Sequence, residues 1–301
     1  MVPLGFPAAL FIEKSEKIMK IGLVLEGGAN RGVFTAGAID FLLEQGVKFD
    51  YVIGTSAGAC NAMNYLAGQI GRGRDSMILT DKSLNYFGVK TLLKTGHFFD
   101  LDWAFKEYPQ KYFIFDYDAY FRNPIQREFA STNCLTGEAV YFTDKGADKY
   151  YLMEIGKASS ALPGMSAVVE IDGVPYADGG VADSIPVKRA FEMGCDKVVV
   201  IETRRKEFRM KLSKSTKMVA RISGRKYPAL EAAMLRRHEN YNRTLDFIHE
   251  KEKEGTVLSI RPEMKEVSRT ETDYHKLSKF YHHGYQQMKA AFPKLQAFMK
   301  E

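Results

Sequence analysis

Two strand–turn–helix units near the start of the chain constrain its fold more than any other feature. Lys20-Ile-Gly-Leu-Val-Leu25 is a short, nearly continuous apolar run of the kind buried in a parallel sheet. A glycine-rich turn, Glu26-Gly-Gly-Ala-Asn-Arg-Gly32, follows it. A helical pattern then runs from Val33 to Gln45 and stops at Gly46, a natural C-terminal cap. The order repeats at once: a strand over Phe49–Ile53, a turn over Gly54–Gly58, and a small-residue helix through Ala59 to Ala67. Strand, turn and helix in alternation demand a parallel sheet with crossover helices packed on it.

Further along, residues 72–150 are aromatic-rich without clear periodicity, and helices and loops decorating the sheet are expected there. A helix is expected over Lys149–Ala161, ending before Pro163-Gly164. Val168–Ile171 and Val174–Ala177 form a hairpin around Asp172-Gly173, a strong turn pair. A helix over Val187–Met193, a strand over Lys197–Glu202, a long helix over Tyr227–Glu254 and a late strand over Thr256–Ile260 complete the pattern. The fold class expected is α/β, with three layers (α/β/α) and a mainly parallel central sheet. The domain division expected is an N-terminal extension over 1–19, the main domain over 20–260, and a polar helical C-terminal appendage over 261–301.

Composition excludes several classes. Hydrophobic residues make up 45% and charged residues 27% of 301, which rules out a wholly disordered chain, a collagen and a bare coiled coil. No run of about 18 apolar residues occurs, so no transmembrane helix is expected. Cys60, Cys134 and Cys195 are odd in number and far apart, which argues against a disulfide framework and for a reducing compartment; a cytoplasmic location is expected. The net charge of +6 is concentrated: residues 204–226 hold ten basic side chains against one acidic, Glu207, with Phe208, Met210, Leu212, Met218, Val219 and Ile222 interleaved. That pattern fits a solvated helix face or a peripheral membrane contact, and no nucleic-acid motif accompanies it.

Three segments carry chemistry. Gly54-Thr-Ser-Ala-Gly58 places Ser56 in a G-x-S-x-G turn between strand and helix, where flanking glycines allow the sharp bend that exposes a nucleophilic hydroxyl. A tight packing turn is the plainer reading. Gly27 to Gly32 ends the first strand at a helix N-terminus, where backbone N–H groups hold an anion. A dinucleotide fingerprint would require glycine at Ala29, and no G-K-[ST] of a phosphate-binding loop follows. Asp178-Gly179-Gly180 ends the hairpin and can project a carboxylate into a site above the sheet.

Taken in order, these motifs resemble the patatin-like phospholipases, particularly bacterial members whose first turn begins Glu-Gly-Gly, over roughly residues 20–205; the family's third glycine is Ala29 here. The resemblance implies a patatin-like fold and a serine–aspartate dyad, with Ser56 as nucleophile and Asp178 as general base. The N–H groups of Gly27, Gly28 and Ala29 would form the oxyanion hole. Arg31 would steady the first turn or meet a head-group phosphate, and Gly32, Gly54, Gly58, Gly179 and Gly180 would support the motifs. The implied activity is acyl-ester hydrolysis of a lipid or other long-chain ester through an acyl-enzyme, with no metal or cofactor. Ala158–Gly164 is a further family-like stretch, read mainly as packing under the site. Two alternatives stand beside this: a non-catalytic lipid- or phosphate-binding regulator, and a Ser-His-Asp esterase. For the latter, the order Ser56, Asp178, His238 is permitted. His238 and His249, however, fall in a charged helix, and His97, His275, His282 and His283 show no ligand spacing.

Overall fold

The computed structural model describes residues 19–300 except 145. Most of the extension expected over 1–19 therefore lies outside the described residues. The chain opens with β1 (Ile21–Leu25), α1 (Gly32–Glu44), β2 (Tyr51–Thr55) and α2 (Ala57–Leu66). Short helices α3 (Arg72–Met77), α4 (Val89–Thr95) and α5 (Tyr117–Arg122) follow, with a π-type helical segment, Trp103–Tyr112, between the last two. Then come β3 (Gln126–Asn133), β4 (Ala139–Phe142), α6 (Lys149–Ser160), β5 (Val169–Ile171), β6 (Val174–Asp178), α7 (Val187–Glu192) and β7 (Lys197–Ile201). The last elements are α8 (Lys214–Gly224), α9 (Pro228–Lys253), β8 (Val257–Ile260) and α10 (Tyr274–Phe298).

One sheet runs in the order β5-β6-β3-β2-β1-β7-β8, with β4 also on β3. The stretch β3-β2-β1-β7-β8 is parallel; β4, β5 and β6 are antiparallel additions. Side-chain alternation along β1 divides the core in two. Ile21, Leu23 and Leu25 face α1, α2 and α10, while Val24 faces α7 and α9. The outcome is a mixed, mostly parallel sheet covered by helices on both faces.

Helix α1 is buried all the way round from Gly32 to Leu42, because the sheet lies on one side and α10 on the other. The close approach of α10 needs two glycines: a Cβ on Gly37 would lie 2.1 Å from the Tyr281 carbonyl oxygen, and one on Gly284 1.9 Å from that of Phe34. Residues 261–301, expected as an appendage, thus hold a helix whose Leu277, Phe280, Met288 and Leu295 are fully integrated in the principal core. The expectation of helices and loops throughout 72–150 needs correction, since β3 and β4 lie within it.

Register on β3 brings the site together. Ala130 pairs with Thr55 of β2, and the next residue, Ser131, pairs with Asp178 of β6. Because β4 occupies the opposite edge over Phe129–Thr132, β2 and β6 must share one edge end to end. Strand β2 stops at Thr55, β6 arrives from the other direction and stops at Asp178, and Ser56 turns out at the junction.

Candidate active site

Ser56 takes φ +56° and ψ −123°, a region costly for any residue with a Cβ. Packing holds it there. A Cβ on Gly54 would lie 2.4 Å from the Gly58 carbonyl oxygen, and one on Gly58 would lie 2.2 Å from that of Leu25. Only glycine at both positions lets α2 start directly above the end of β1. The Ser56 amide donates to Ser159 Oγ at 2.8 Å, and Ser159 Oγ donates to the Ala130 carbonyl at 2.7 Å. Ser159 therefore ties the turn to β3. The stretch around it was legible as family-like, but its hydroxyl's positioning role was not.

Asp178 is almost wholly buried. Its Oδ1 accepts from the Gly180 amide at 2.7 Å, while Oδ2 is buried with no hydrogen-bond partner of normal geometry. Burial pushes its pKa up. The Ser56 hydroxyl is the strongest opposing influence, followed by the charge of Arg237. Ser56 and Asp178, more than a hundred positions apart in sequence, thus face each other. A Cβ on Gly179 would lie 2.1 Å from the Ala130 carbonyl oxygen, so the D-G-G turn presses directly on β3.

The first turn lies beside them. A Cβ on Gly27 would meet the Ser56 Cβ at 3.3 Å. The Gly27 amide, expected in the oxyanion hole, donates instead to the Ser184 carbonyl at 3.1 Å, so that part of the expectation is corrected. No carbonyl among the described residues accepts from Gly28 or Ala29. Ala29 carries φ +48°, the left-handed conformation that glycine adopts more cheaply. Asn30 fastens the turn to the C-terminal region: its amide donates to the Arg269 carbonyl at 3.3 Å and its side chain to the Glu271 carbonyl at 2.6 Å. Gly32 allows α1 to approach α2, since a Cβ there would lie 2.8 Å from that of Ala57.

Arg31 is buried behind the turn, with Nε 3.5 Å from Thr203 Oγ1, and does not line the cavity described below. Burial and the charges of Arg204 and Arg269 pull its pKa down to about 9. Arg237 packs against Gly180 and donates to Ser184 Oγ at 3.3 Å; burial and Arg269 lower it to about 10. Arg237 and Arg269 come from the C-terminal third and favour the charged form of Asp178. Neither was legible as a site residue.

Ser56 opens onto a cavity of about 130 Å³, partly continuous with solvent. Met63, Phe99, Phe105, Tyr108, Met153 and Leu162 supply much of its apolar wall. That wall comes chiefly from the aperiodic aromatic region, where the π-type segment replaces a regular helix. None of the six histidines lines the cavity or figures among the groups shifting Asp178. His238 Nδ1 lies 3.0 Å from the Leu235 carbonyl oxygen on its own helix, and His283 Nε2 accepts from the Glu263 amide at 2.9 Å.

Comparison with known proteins shows what the chain is similar to. The chain is 33% identical over 196 residues to the uncharacterized protein YjjU of Escherichia coli, covering 61% of this chain and 52% of that one. It is 27% identical to the uncharacterized NTE family protein Rv1063c of Mycobacterium tuberculosis, covering 65% and 52%. To the lysophospholipase NTE1 of Saccharomyces cerevisiae it is 25% identical, covering 60% and 11%. The chain thus spans about half the length of the first curated relatives it matches. Among solved structures, VipD from Legionella pneumophila superposes with a TM-score of 0.50 at 15% identity, over 92% of this chain and 67% of that one, a likeness of fold. A family of unknown function, DUF6363, matches residues 227–300, the stretch that supplies Arg237, Arg269 and α10. The model of the patatin-like phospholipases matches residues 23–191, which include the glycine-rich first turn, the serine turn and the D-G-G motif, and the chain belongs to that family.

Proposed function

We propose that the chain hydrolyses acyl esters of lipids, phospholipid or lysophospholipid, through a Ser56–Asp178 dyad and an acyl-enzyme. The observation that carries this reading is a strained Ser56, open to an apolar cavity, beside the buried carboxylate of Asp178, on which its hydroxyl is the strongest influence opposing burial. The acyl chain lies in the cavity and presents its carbonyl to Ser56. Asp178 takes the hydroxyl proton as Oγ attacks. Its raised pKa makes it a better base than an exposed carboxylate. The oxyanion is held by the Gly28 and Ala29 amides and by the positive N-terminus of α2. Collapse of the tetrahedral intermediate expels the alcohol, which leaves with the proton from Asp178. Water then attacks the acyl-enzyme, again giving its proton to Asp178, and the fatty acid departs as Ser56 regains its hydrogen.

The relatives named lysophospholipase support the substrate class. That no histidine lines the cavity favours the dyad over a triad. The test is labelling by a fluorophosphonate probe together with hydrolysis of a panel of phospholipids and lysophospholipids. Wild-type protein labels and releases fatty acid, Ser56→Ala does neither, and His238→Ala does both. Labelling that persists in Ser56→Ala would overturn the assignment. So would loss of turnover in His238→Ala.

A further inference from the structure

Among the described residues, no helix is long and apolar enough to cross a membrane. Two short helices leave large apolar side chains in solvent: Val89, Leu92 and Leu93 of α4 are 68%, 43% and 83% exposed, and Met218 and Ile222 of α8 are 61% and 58% exposed. Both helices are basic and free of acidic residues, with Lys90 and Lys94 on α4 and Lys214, Lys217 and Arg221 on α8. None of these five cations makes an ion pair among the described residues.

The two helices are far apart in sequence but border one turn. The Phe99 amide, just after α4, donates to the Met165 carbonyl at 2.9 Å, while a Cβ on Gly164 would lie 2.6 Å from a methyl of Val219 on α8. The same turn contributes Leu162 to the acyl cavity, and the chain on either side of α4 contributes Tyr86 and Phe99. Helix α4 is bracketed by Gly88 (φ +122°) and Gly96 (φ +78°), and its base is pinned by a bridge between Phe87 and Phe99. Apolar side chains ringed by unpaired cations, beside a cavity for an acyl chain, match the two parts of a lipid surface: hydrocarbon below and phosphate above.

We propose that α4 and α8 form one docking surface that seats the chain on an anionic bilayer with the cavity opening toward the lipid. The role given to the cavity rests on the lipid-esterase reading; the docking surface itself does not. Binding is measured by co-sedimentation of Ser56→Ala, which separates docking from turnover, with vesicles of phosphatidylglycerol and phosphatidylcholine in equal parts or of phosphatidylcholine alone. Ser56→Ala binds the anionic vesicles roughly tenfold more tightly than the neutral ones. Adding Leu93→Asp or Ile222→Asp weakens anionic binding by about tenfold each. In the otherwise wild-type chain, both changes leave hydrolysis of a short water-soluble ester within about twofold, as exposed sites outside the cavity should. Equal binding to both vesicle types, or full binding by both aspartate variants, would overturn the proposal. A solution dimer dispersed by Leu93→Asp would overturn it too, by assigning the face to a second copy. Absence of any esterase activity in the wild type would sink the catalytic reading while leaving the binding result intact.

Discussion

At the residue scale, the burial of Asp178 bears on stability and, in the proposed dyad, on turnover. Its pKa is raised by burial above the unfolded value of about 3.9. Below that value both states hold the proton and the group costs nothing. As pH climbs through the folded pKa, the folded chain must ionise a buried carboxyl that the unfolded chain has already ionised, so stability falls. Asp178→Asn keeps an acceptor for the Gly180 amide and removes the charge. It should raise the melting temperature at pH 7 by about 2–4 °C, and the gain should vanish below about pH 4; scanning calorimetry at both pH values checks this. Turnover in the same variant should fall about 10³-fold. In the wild type, turnover should decline with falling pH at a point above the usual carboxylate range, because the base must be unprotonated. A melting temperature unchanged at pH 7 would mean that neighbouring cations fully offset the burial.

At the element scale, the two strand–turn–helix units were legible because glycines punctuate them and apolar runs fill them. The hairpin ending in Asp178 was legible from Asp172-Gly173. Strand β3 was not, although it joins the serine strand to the aspartate strand. Its sequence, Gln126-Arg-Glu-Phe-Ala-Ser-Thr-Asn133, holds one large apolar side chain. It is buried by polar pairing instead: Glu128 accepts from the Tyr51 hydroxyl and from Arg189, and Thr132 Oγ1 donates to the Asp178 carbonyl. The cavity wall escaped notice for a related reason, since side chains from several short elements converge on it without any period. The serine turn was legible as a motif, but the reason for its second glycine is tertiary. Gly58→Ala would put a methyl 2.2 Å from the Leu25 carbonyl oxygen, backbone that cannot rotate away. Its cost should be about 3 kcal/mol in urea unfolding, from overpacking between α2 and β1. A cost under about 0.5 kcal/mol would show that α2 can lift off β1 freely.

At the scale of the whole molecule, the C-terminal region is bound to the site by contacts that no local pattern announces. Its polar composition gave the look of an attached unit, yet its apolar residues are spaced to cover α1. Phe34 lies against Phe280 and Phe41 against Tyr285 and Phe292, and Tyr281 donates to the buried Asp40 carboxylate at 2.7 Å. Asn30 of the first turn depends on carbonyls at Arg269 and Glu271. Ending the chain after Ile260 would uncover the outer side of a helix that is buried all round and leave Asp40 without its tyrosine. Each buried Phe newly exposed costs about 1.5–3 kcal/mol, so losing cover over Phe34 and Phe41, with the Asp40 carboxylate left unpaired as well, removes a large part of the stability of an ordinary domain, about 5–15 kcal/mol. The shortened chain should therefore be insoluble, or else show no cooperative thermal transition. The milder Gly284→Val, which forces α10 away from Phe34 without deleting it, should keep the chain soluble, lower its melting temperature and slow turnover together, since the turn proposed to hold the oxyanion is fastened to the same C-terminal region. A shortened chain that melts cooperatively and still turns over would show that the patatin-like part stands alone, with the C-terminal helix a cover added to a finished fold.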